Sequence, residues 1–479
     1  MFGGGLAART LGAINTIIVA RLLVPEDIGL VAIATVAMQL LQGFSDIGVS
    51  QAVIKFRDAD RDDLNTLFTL SFLRGLLIGA VLAVAAPLMA IFYDDPRMTA
   101  VFLAVALFPV ITGLINPRFF EFERDLQFSR DFMLTVVNKL AGVIVSVSVA
   151  VIFRTYWAII LGLLAGGFVQ VVLSYGLRPF APRVSFKSFD KVIGFSGWLA
   201  GVSFLTALNN KLDTPIVARG VGAGGAGVYF MGFQLSDLVA GQLALPLTRA
   251  IYPGLSALQG DVARMRRAFL RGVAALGALA MPAAIGLAFV AEDAVALLLG
   301  AKWEAVVPVI QILAPVAGLQ SLFYASQSYA MALGLTRLVF IRELVYLVIR
   351  LPVFVWAVIA HGLEGAIWAA AGLGLFHVVL NLALYARASG HGFWEPLVSA
   401  RRAIGAVAAM SAWYVFLRPA LAGLDDLPLV LRLGADILFG GAIYAGALGA
   451  LWLGEKRPDG VESAIIHGIA ASWKRFAAR

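Results

Sequence analysis

Three glycines, Gly222, Gly224 and Gly227, have the G-x-G-x-x-G spacing of a turn that binds the pyrophosphate of a dinucleotide. Such a turn requires a short strand before it, a helix after it and an acidic residue about twenty positions further on. Here the helix-length apolar segment WLAGVSFLTALNNKLDTPIVA precedes the glycines, and a second apolar segment follows them. We therefore predict a tight turn between two helices, for which glycine is suited because it lacks a Cβ atom.

A second group of chemically active residues consists of ionisable and amide side chains inside apolar segments. A charge at the centre of a membrane-spanning helix costs about 2.5–3.5 kcal/mol, so such a side chain usually faces a cavity or a partner. With Arg9 and Lys211 included, cations outnumber carboxylates in this group, which favours an anionic ligand. The candidates for a substrate-binding cavity are Arg74, Asn138, Lys139, Asn210, Asp213, Asp237 and Arg350.

Polar and small residues share one face in two of these segments. In the segment 131–153 this face carries Asp131, Thr135, Asn138, Gly142 and Ser146. In the segment 192–216 it carries Ser203, Thr206, Asn210 and Asp213. The spacing in each is that of a helix, and we interpret both faces as walls of a hydrated cavity. Lys211 and Asp213 lie near a segment end, so snorkelling or a structural ion pair is the alternative there. We interpret His377 and Asn381, four residues apart, as an interhelical hydrogen-bonding pair rather than a proton relay.

The composition places these segments in a membrane. Hydrophobic residues make up 61% of the 479-residue chain and charged residues 14%, whereas a soluble domain has about 25% charged residues. The apolar residues form blocks of about twenty, the length of helix that crosses a bilayer core. Cysteine is absent and the four histidines are scattered, which argues against thiol chemistry, disulfides and a metal cluster. We predict an all-α, polytopic membrane protein without cofactor or metal.

Fourteen membrane-spanning helices are predicted from these blocks. Their approximate bounds are 3–23, 29–48, 66–92, 98–116, 131–153, 157–178, 192–216, 228–248, 268–290, 305–333, 338–360, 364–386, 403–421 and 429–453. Successive loops lie on opposite sides of the membrane. The loops on one side carry about 25 Lys and Arg residues, and the loops on the other side carry about 7. The positive-inside rule then predicts that the basic loops and both termini are cytoplasmic. The net charge of +8 is therefore a topology signal, and we predict no nucleic-acid partner.

Three pairs of similar stretches recur at an offset near 200 residues. They are 20–31 with 218–229, 92–114 with 298–320, and the basic loops around Arg124 and Arg337. Six helices per copy would preserve the orientation, so we predict two parallel repeats that form two lobes with a substrate path at their interface. The predicted divisions are 1–190, 191–390, and two additional C-terminal helices with a cytoplasmic tail at 391–479.

Six stretches in order resemble one transporter family. They are ARLLVPEDIGLVAIATV, FSDIGVSQAVI, ERDLQFSRDF, NNKLDTPIVARGVGAGGAGVY, LPLTRAIYPGLSALQGD and LLGAKWEAVVPVIQILAPVAG, within roughly residues 20–320. The chain resembles the polysaccharide transporter (Wzx-type oligosaccharide flippase) branch of the multidrug/oligosaccharidyl-lipid/polysaccharide exporter superfamily. Family members usually have a longer, basic lead into the first span, so truncation before Met1 is an open alternative.

The resemblance implies a flippase that acts by alternating access in the inner membrane. Its substrate would be an undecaprenyl-pyrophosphate-linked oligosaccharide unit for exopolysaccharide, capsule or O-antigen synthesis. Its implied partners are membrane lipid, a polysaccharide polymerase and a chain-length regulator. The short extracytoplasmic loops leave no room for a catalytic domain, so we predict that the protein is not an enzyme. A cation-coupled multidrug antiporter and a non-transporting or enzymatic component of polysaccharide assembly stay open as alternatives.

Overall fold

The structure, a computed structural model, describes residues 2–45, 60–124, 128–189, 197–256, 258 and 260–455. The first six helices are α1 (Phe2–Leu22), α2 (Pro25–Phe44), α3 (Arg61–Tyr93), α4 (Arg97–Gly113), α5 (Phe128–Phe153) and α6 (Trp157–Leu177). The short turns Pro117–Phe120 and Glu121–Arg124 lie between α4 and α5. Helix α2 begins at Pro25, four residues before the predicted span, and continues with Glu26 and Asp27, which interact favourably with the positive end of the helix dipole.

The second part of the chain is also helical. Its helices are α7 (Gly197–Lys211), α8 (Asp213–Ser256), α9 (Val262–Phe289), α10 (Ala291–Leu298), α11 (Val307–Ser321), α12 (Ser326–Ala332), α13 (Thr336–Ser389), α14 (Glu395–Ser399), α15 (Arg401–Ala412) and α16 (Leu429–Gly454). Short turns lie at Ala301–Val306, Trp413–Leu417, Arg418–Ala420 and Ala422–Leu424. Within the described residues, nine helical stretches are long and apolar enough to cross a membrane. Dividing the stretch formed by α7 and α8 at Gly222 and α13 at Gly362 makes these nine into eleven, and α1, α2 and α4 complete the fourteen predicted spans in the described part of the chain.

The 54-residue helix α13 is a hairpin of two spans joined at Gly362, where φ is 60° and ψ is −136°. Arg342 donates to Asn381 at 2.6 Å, and the rings of Tyr346 and His377 lie 4.5 Å apart. These pairs are spaced almost symmetrically about Gly362, so the two halves run antiparallel. An unbroken helix of this length would extend roughly 80 Å, far more than the bilayer core.

The glycine-rich stretch forms a second hairpin inside α8. Gly222 has φ 87° and ψ 175°, and both neighbouring segments are helical. The Tyr229 hydroxyl donates to Asp213 across this turn at 2.8 Å, whereas residues sixteen apart in a straight helix would be roughly 24 Å apart. The prediction of a helix–helix turn is therefore confirmed, and the dinucleotide interpretation has no support in this part of the structure.

Replacing Gly222 by alanine is expected to destabilise the fold by about 1–3 kcal/mol, because its backbone conformation is essentially restricted to glycine. Gly224→Ala is the matched control two residues away, since an added Cβ there has no heavy atom within 4 Å. Alanine is about 1 kcal/mol better than glycine inside a helix, so the control should be neutral or stabilising. The melting temperatures of the two purified variants are compared by thermal unfolding in detergent. Equal melting temperatures would contradict the assignment of strain to Gly222.

The start of α3 is fixed by capping and by a neighbouring loop. Asp60 accepts a hydrogen bond from the Asp63 backbone at 2.7 Å, which starts the helix five residues before the predicted span. The loop after α6 packs along this end, where the Ser185 backbone donates to Thr69 at 3.0 Å. Lys187 bonds Asp62 at 2.8 Å, and this hydrogen bond raises the pKa of Lys187. The described parts of two loops predicted to be cytoplasmic thus meet at one end of the bundle.

The chain divides into two compact units. The first comprises Met1–Phe230 with Val358–Leu363, and the second comprises Met231–Ala357 with Glu364–Arg479. In the second unit Phe269 stacks on Tyr329 at 4.7 Å and on Tyr385 at 5.3 Å. The last span packs on the same unit, since the Tyr444 hydroxyl of α16 donates to the carbonyl of Ala278 at 2.8 Å. The division into 1–190, 191–390 and 391–479 stays a prediction.

Candidate functional site

The two predicted cations of the first unit have different surroundings. Arg74 on α3 is half-buried, and its guanidinium donates to the carbonyl of Ser45 at 3.4 Å. Ser45 follows the last turn of α2, so Arg74 lies at the negative end of that helix dipole. Lys139 on α5 is exposed, next to Leu140, which is 38% exposed. The Lys139 side chain is therefore not packed inside the described part of the first unit.

The interpretation of the α5 polar face as a cavity wall is wrong at two of its positions. Ser146 is only 2% exposed, and a Cβ added to Gly162 of α6 would lie 2.6 Å from the Cβ of Ser146. A Cβ added to Gly142 would lie 2.9 Å from the carbonyl oxygen of Gly162. Small residues allow two helix backbones to approach closely within a membrane. This part of the face is thus a helix–helix contact, while Asn138, nearer the start of α5, is half-buried.

The predicted face through Asn210 and Asp213 is interrupted by a helix break. Helix α7 ends at Lys211 and α8 begins at Asp213, because Pro215 has no N–H to donate to the carbonyl of Lys211. As a result Asn210 is exposed, whereas Asp213 is 6% exposed and accepts the hydrogen bond from Tyr229. The two side chains, three residues apart across the break, therefore have different surroundings.

The remaining candidates belong to the second unit. Asp237 on α8 is exposed and accepts a hydrogen bond from the Tyr324 hydroxyl at 3.2 Å. Arg350 on α13 is 9% exposed, and its guanidinium carbon lies 5.4 Å from the centroid of the Tyr346 ring. A cation over an aromatic face is favoured by about 2 kcal/mol or more when desolvated. Each polar candidate of this unit is thus held by a tyrosine.

A buried polar network in the α13 hairpin was missed by the sequence analysis. Arg342 forms an ion pair with Glu343, and these side chains are 8% and 3% exposed. Arg342 also donates to Asn381 in the other half of the hairpin, and Asn381 donates to the carbonyl of His377 at 2.9 Å. The interhelical hydrogen bond predicted for the pair His377 and Asn381 is present at Asn381, whereas the His377 ring packs against Tyr346 and its Nε2 has no hydrogen-bond partner in the described part of the chain. Arg342 lies near the start of the predicted span 338–360 and was not among the candidates, although its four-residue spacing to Tyr346 and then Arg350 indicates one helical face.

A small ionic cluster lies at the opposite end of the first unit from the α3 cap. Arg97 donates to both carboxylate oxygens of Asp95, at 3.0 Å and 2.8 Å, and forms a further ion pair with Glu26. These hydrogen bonds hold the pKa of Asp95 below its usual range. A cavity of about 520 Å³ borders the cluster, and Gly222 is among the residues that line it. The carboxylates of Asp95 and Glu26 are therefore engaged in ion pairs with Arg97.

Comparison with protein families and curated sequences gives consistent results. Residues 18–308 match a family described as polysaccharide biosynthesis protein. The lipopolysaccharide biosynthesis protein WzxC of Escherichia coli (strain K12) is 25% identical over 380 residues, which cover 78% of this chain and 76% of that protein. The succinoglycan biosynthesis transport protein ExoT of Rhizobium meliloti (strain 1021) is 22% identical over 300 residues, covering 62% and 60%.

Two groups of solved structures share the fold. A lipid II flippase, MurJ, in an inward closed conformation superposes with a TM-score of 0.74 at 13% identity, covering 95% of this chain and 100% of that one. An inward-facing multidrug transporter of the MATE family gives a TM-score of 0.61 at 14% identity, covering 80% and 95%. The chain therefore shares the fold of these two structures, and the predicted family resemblance is confirmed by the family match over residues 18–308.

Proposed function

The chain belongs to the polysaccharide biosynthesis protein family, and we propose that it is a flippase for undecaprenyl-pyrophosphate-linked oligosaccharide units. The family match over residues 18–308 is the observation that carries the proposal. It is supported by the relative named as a succinoglycan biosynthesis transport protein and by the multi-pass helical architecture. The product would supply synthesis of exopolysaccharide, capsule or O-antigen.

The charge of the substrate matches the proposed binding residues. A pyrophosphate is anionic, and hydrogen bonds between charged partners are roughly twice as strong as neutral ones. Arg74, Lys139 and Arg350 are the cations that we propose for this role. The polar side chains of Asn138, Asn210, Asp213 and Asp237 complete the proposed set. In alternating access these groups would meet the substrate from each side in turn, within two lobes built from the predicted repeats.

The proposed location is the inner membrane with both termini cytoplasmic. The asymmetry of Lys and Arg between alternate loops supports this orientation. It places the capped start of α3 on the cytoplasmic side, where lipid-linked units are built. The Arg97 cluster would then face the compartment in which a polysaccharide polymerase and a chain-length regulator act on the exported units.

Deletion of the gene is expected to abolish one surface or secreted polysaccharide while its lipid-linked repeat unit accumulates on the inner leaflet. Loss of a flippase leaves synthesis of the unit intact and blocks only its passage. Extracted lipid-linked sugars are quantified by mass spectrometry, and their leaflet is determined by glycosidase access in right-side-out and inverted vesicles. Complementation with the unaltered chain is the control. Accumulation of unpolymerised units on the outer leaflet would show instead that the chain acts after transport, as an assembly enzyme.

A further inference from the structure

Three of the four arginines near the start of α9 share one face of the helix. Arg264, Arg267 and Arg271 are spaced by three and then four positions, which places them on one side, and all three are exposed. The opposite side carries Phe269 and Val273, which are 0% exposed and belong to the hydrophobic core of the second unit. We call Arg264, Arg267 and Arg271 the arginine face, and it points away from that core.

The positive charge of the arginine face is only partly balanced by the described chain. The fourth arginine, Arg266, forms an ion pair with Glu395 of α14, whereas no member of the arginine face forms an ion pair with another described side chain. Asp261 brings one carboxylate to this end of the helix, where it accepts a hydrogen bond from the backbone N–H of Arg264 at 2.9 Å. Like charges three and four residues apart destabilise a helix, so the arginine face favours a ligand that brings negative charge.

The arginine face lies at the depth of the lipid headgroups. The predicted span of this helix begins at residue 268, so two members of the face precede the span and the third lies one turn inside it. The face extends about 10 Å along the helix, and the headgroup region of one leaflet is roughly 5–8 Å thick. Trp394 follows the same level, since it adjoins Glu395, the partner of Arg266, and is 63% exposed. An exposed tryptophan at the end of a span is typical of the boundary between membrane and water.

We propose that the arginine face binds the phosphate groups of anionic phospholipids in the leaflet at this end of α9. In the proposed orientation this is the cytoplasmic leaflet. A guanidinium group suits the ligand, because its planar fork of N–H donors matches the oxygen atoms of a phosphate. Each cation near an anionic lipid surface favours binding about fivefold. This lipid site goes beyond the proposed transport function, and its test requires no transport.

The test measures binding of defined phospholipids to the purified full chain in detergent. Bound phosphatidylglycerol or phosphatidylcholine is counted by native mass spectrometry during a lipid titration. The native chain is compared with the double variants Arg267→Gln/Arg271→Gln and Arg337→Gln/Arg387→Gln. The latter is the matched control, because its two arginines are exposed near the two ends of α13 in the same unit and lie outside the arginine face.

The native chain should prefer phosphatidylglycerol, which is anionic, to phosphatidylcholine, which is zwitterionic. Removal of Arg267 and Arg271 should weaken binding of phosphatidylglycerol at least about tenfold, since each cation contributes about fivefold, and should leave binding of phosphatidylcholine unchanged. The control variant should lose less than about twofold, because the attraction falls off within a Debye length of the lipid. Equal losses in the two variants, or no preference of the native chain for phosphatidylglycerol, would overturn the proposal.

Stability without lipid separates ligand binding from a role in the fold. In the absence of phosphatidylglycerol the Arg267→Gln/Arg271→Gln variant should melt at the temperature of the native chain or above it, because repulsion within the face is relieved. Added phosphatidylglycerol should raise the melting temperature of the native chain more than that of this variant, since a ligand stabilises the state that binds it. A variant that fails to fold, or that melts at a lower temperature without lipid, would assign the two arginines to the fold and overturn the proposal.

The pyrophosphate of the proposed substrate has related chemistry, so undecaprenyl pyrophosphate is added as a competitor. Phosphatidylglycerol that stays bound to the native chain supports a separate phospholipid site. If undecaprenyl pyrophosphate displaces it, and binds less well to the Arg267→Gln/Arg271→Gln variant, the arginine face belongs to the substrate path and the proposal is overturned. Normal polysaccharide in the deletion strain would refute the proposed function alone, because lipid binding is measured on the purified chain.

Discussion

Lys139→Glu is expected to slow transport of the lipid-linked unit at least about tenfold, whereas Lys139→Arg retains most of the activity. At about 4 Å two unit charges interact by about 1 kcal/mol in bulk water and about 4 kcal/mol near a protein surface. Exchange of a cation for an anion replaces attraction to pyrophosphate by repulsion of similar size. The change in interaction energy is therefore twice that caused by removal of the charge alone. About 1.4 kcal/mol already corresponds to a factor of ten. The exposed position of Lys139 leaves room for either substitution without repacking.

The measurement uses the deletion strain complemented with each variant. The externally accessible lipid-linked unit is quantified per amount of membrane-inserted protein, which separates transport from expression. Lys139→Gln and Leu140→Gln form the matched pair, because both place an amide on an exposed turn of α5. Only the former should reduce transport. Normal transport by Lys139→Glu would show that the ammonium group lies among lipid headgroups, outside the substrate path.

Arg350 is the corresponding cation of the second predicted repeat, but it gives a less direct test. It is 9% exposed and lies over the ring of Tyr346, so its removal leaves a void as well as removing a charge. Arg350→Lys keeps the charge and loses the planar stacking. A transport defect in Arg350→Ala that Arg350→Lys relieves, with unchanged membrane abundance, would support a role in substrate binding.

The number and order of the helices could be predicted because a bilayer fixes the length of an apolar span. Helix ends were harder, since polar residues beyond the bilayer continue a helix without a hydropathy signal. The extension of α3 to Arg61 depends on the capping box formed by Asp60 and Asp63, a local signal that the apolar pattern does not contain. The turn at Gly222 was predictable from composition, because several glycines between two apolar blocks favour a tight connection.

The candidate site was less predictable because one residue pattern serves two purposes. Small and polar residues on a helical face line a hydrated cavity, and they also permit close packing of two helices. Gly142 and Ser146 do the second against Gly162, and the sequence contains nothing that distinguishes the two uses. Likewise Arg342 lies so near the start of the predicted span 338–360 that hydropathy does not distinguish it from a charge at the membrane surface, although it is buried and paired with Glu343.

Glu343→Gln is expected to destabilise the second unit by about 3–5 kcal/mol, because it leaves the buried guanidinium of Arg342 without its carboxylate partner. Glu343 is 3% exposed and pairs with Arg342, which is 8% exposed. Arg350 follows two turns later on the same helix and is also buried. Loss of the only negative charge in this set would leave two cations within the α13 hairpin. Membrane abundance and the melting temperature in detergent should both fall.

Glu364→Gln is the matched control, since Glu364 lies on the same helix element but is exposed. Its substitution should leave the melting temperature unchanged to within the usual effect of a surface change, about 0.5 kcal/mol. An equal loss in both variants would mean that removal of a carboxylate anywhere on α13 is harmful, and the buried pair would then have no special role.

The double variant Arg342→Met with Glu343→Met separates the pair interaction from simple removal of polar atoms. Replacing both members of a buried ion pair by apolar residues is often neutral or stabilising, whereas removing one member is not. The double variant should therefore be more stable than Glu343→Gln, even though Asn381 loses the donor that bonds it at 2.6 Å. Coupling between the two positions is obtained from the complete cycle of single and double variants. If the double variant is as unstable as Glu343→Gln, the stability of the hairpin depends on the hydrogen bond between Arg342 and Asn381. The ion pair between Arg342 and Glu343 would then not be the cause of the loss.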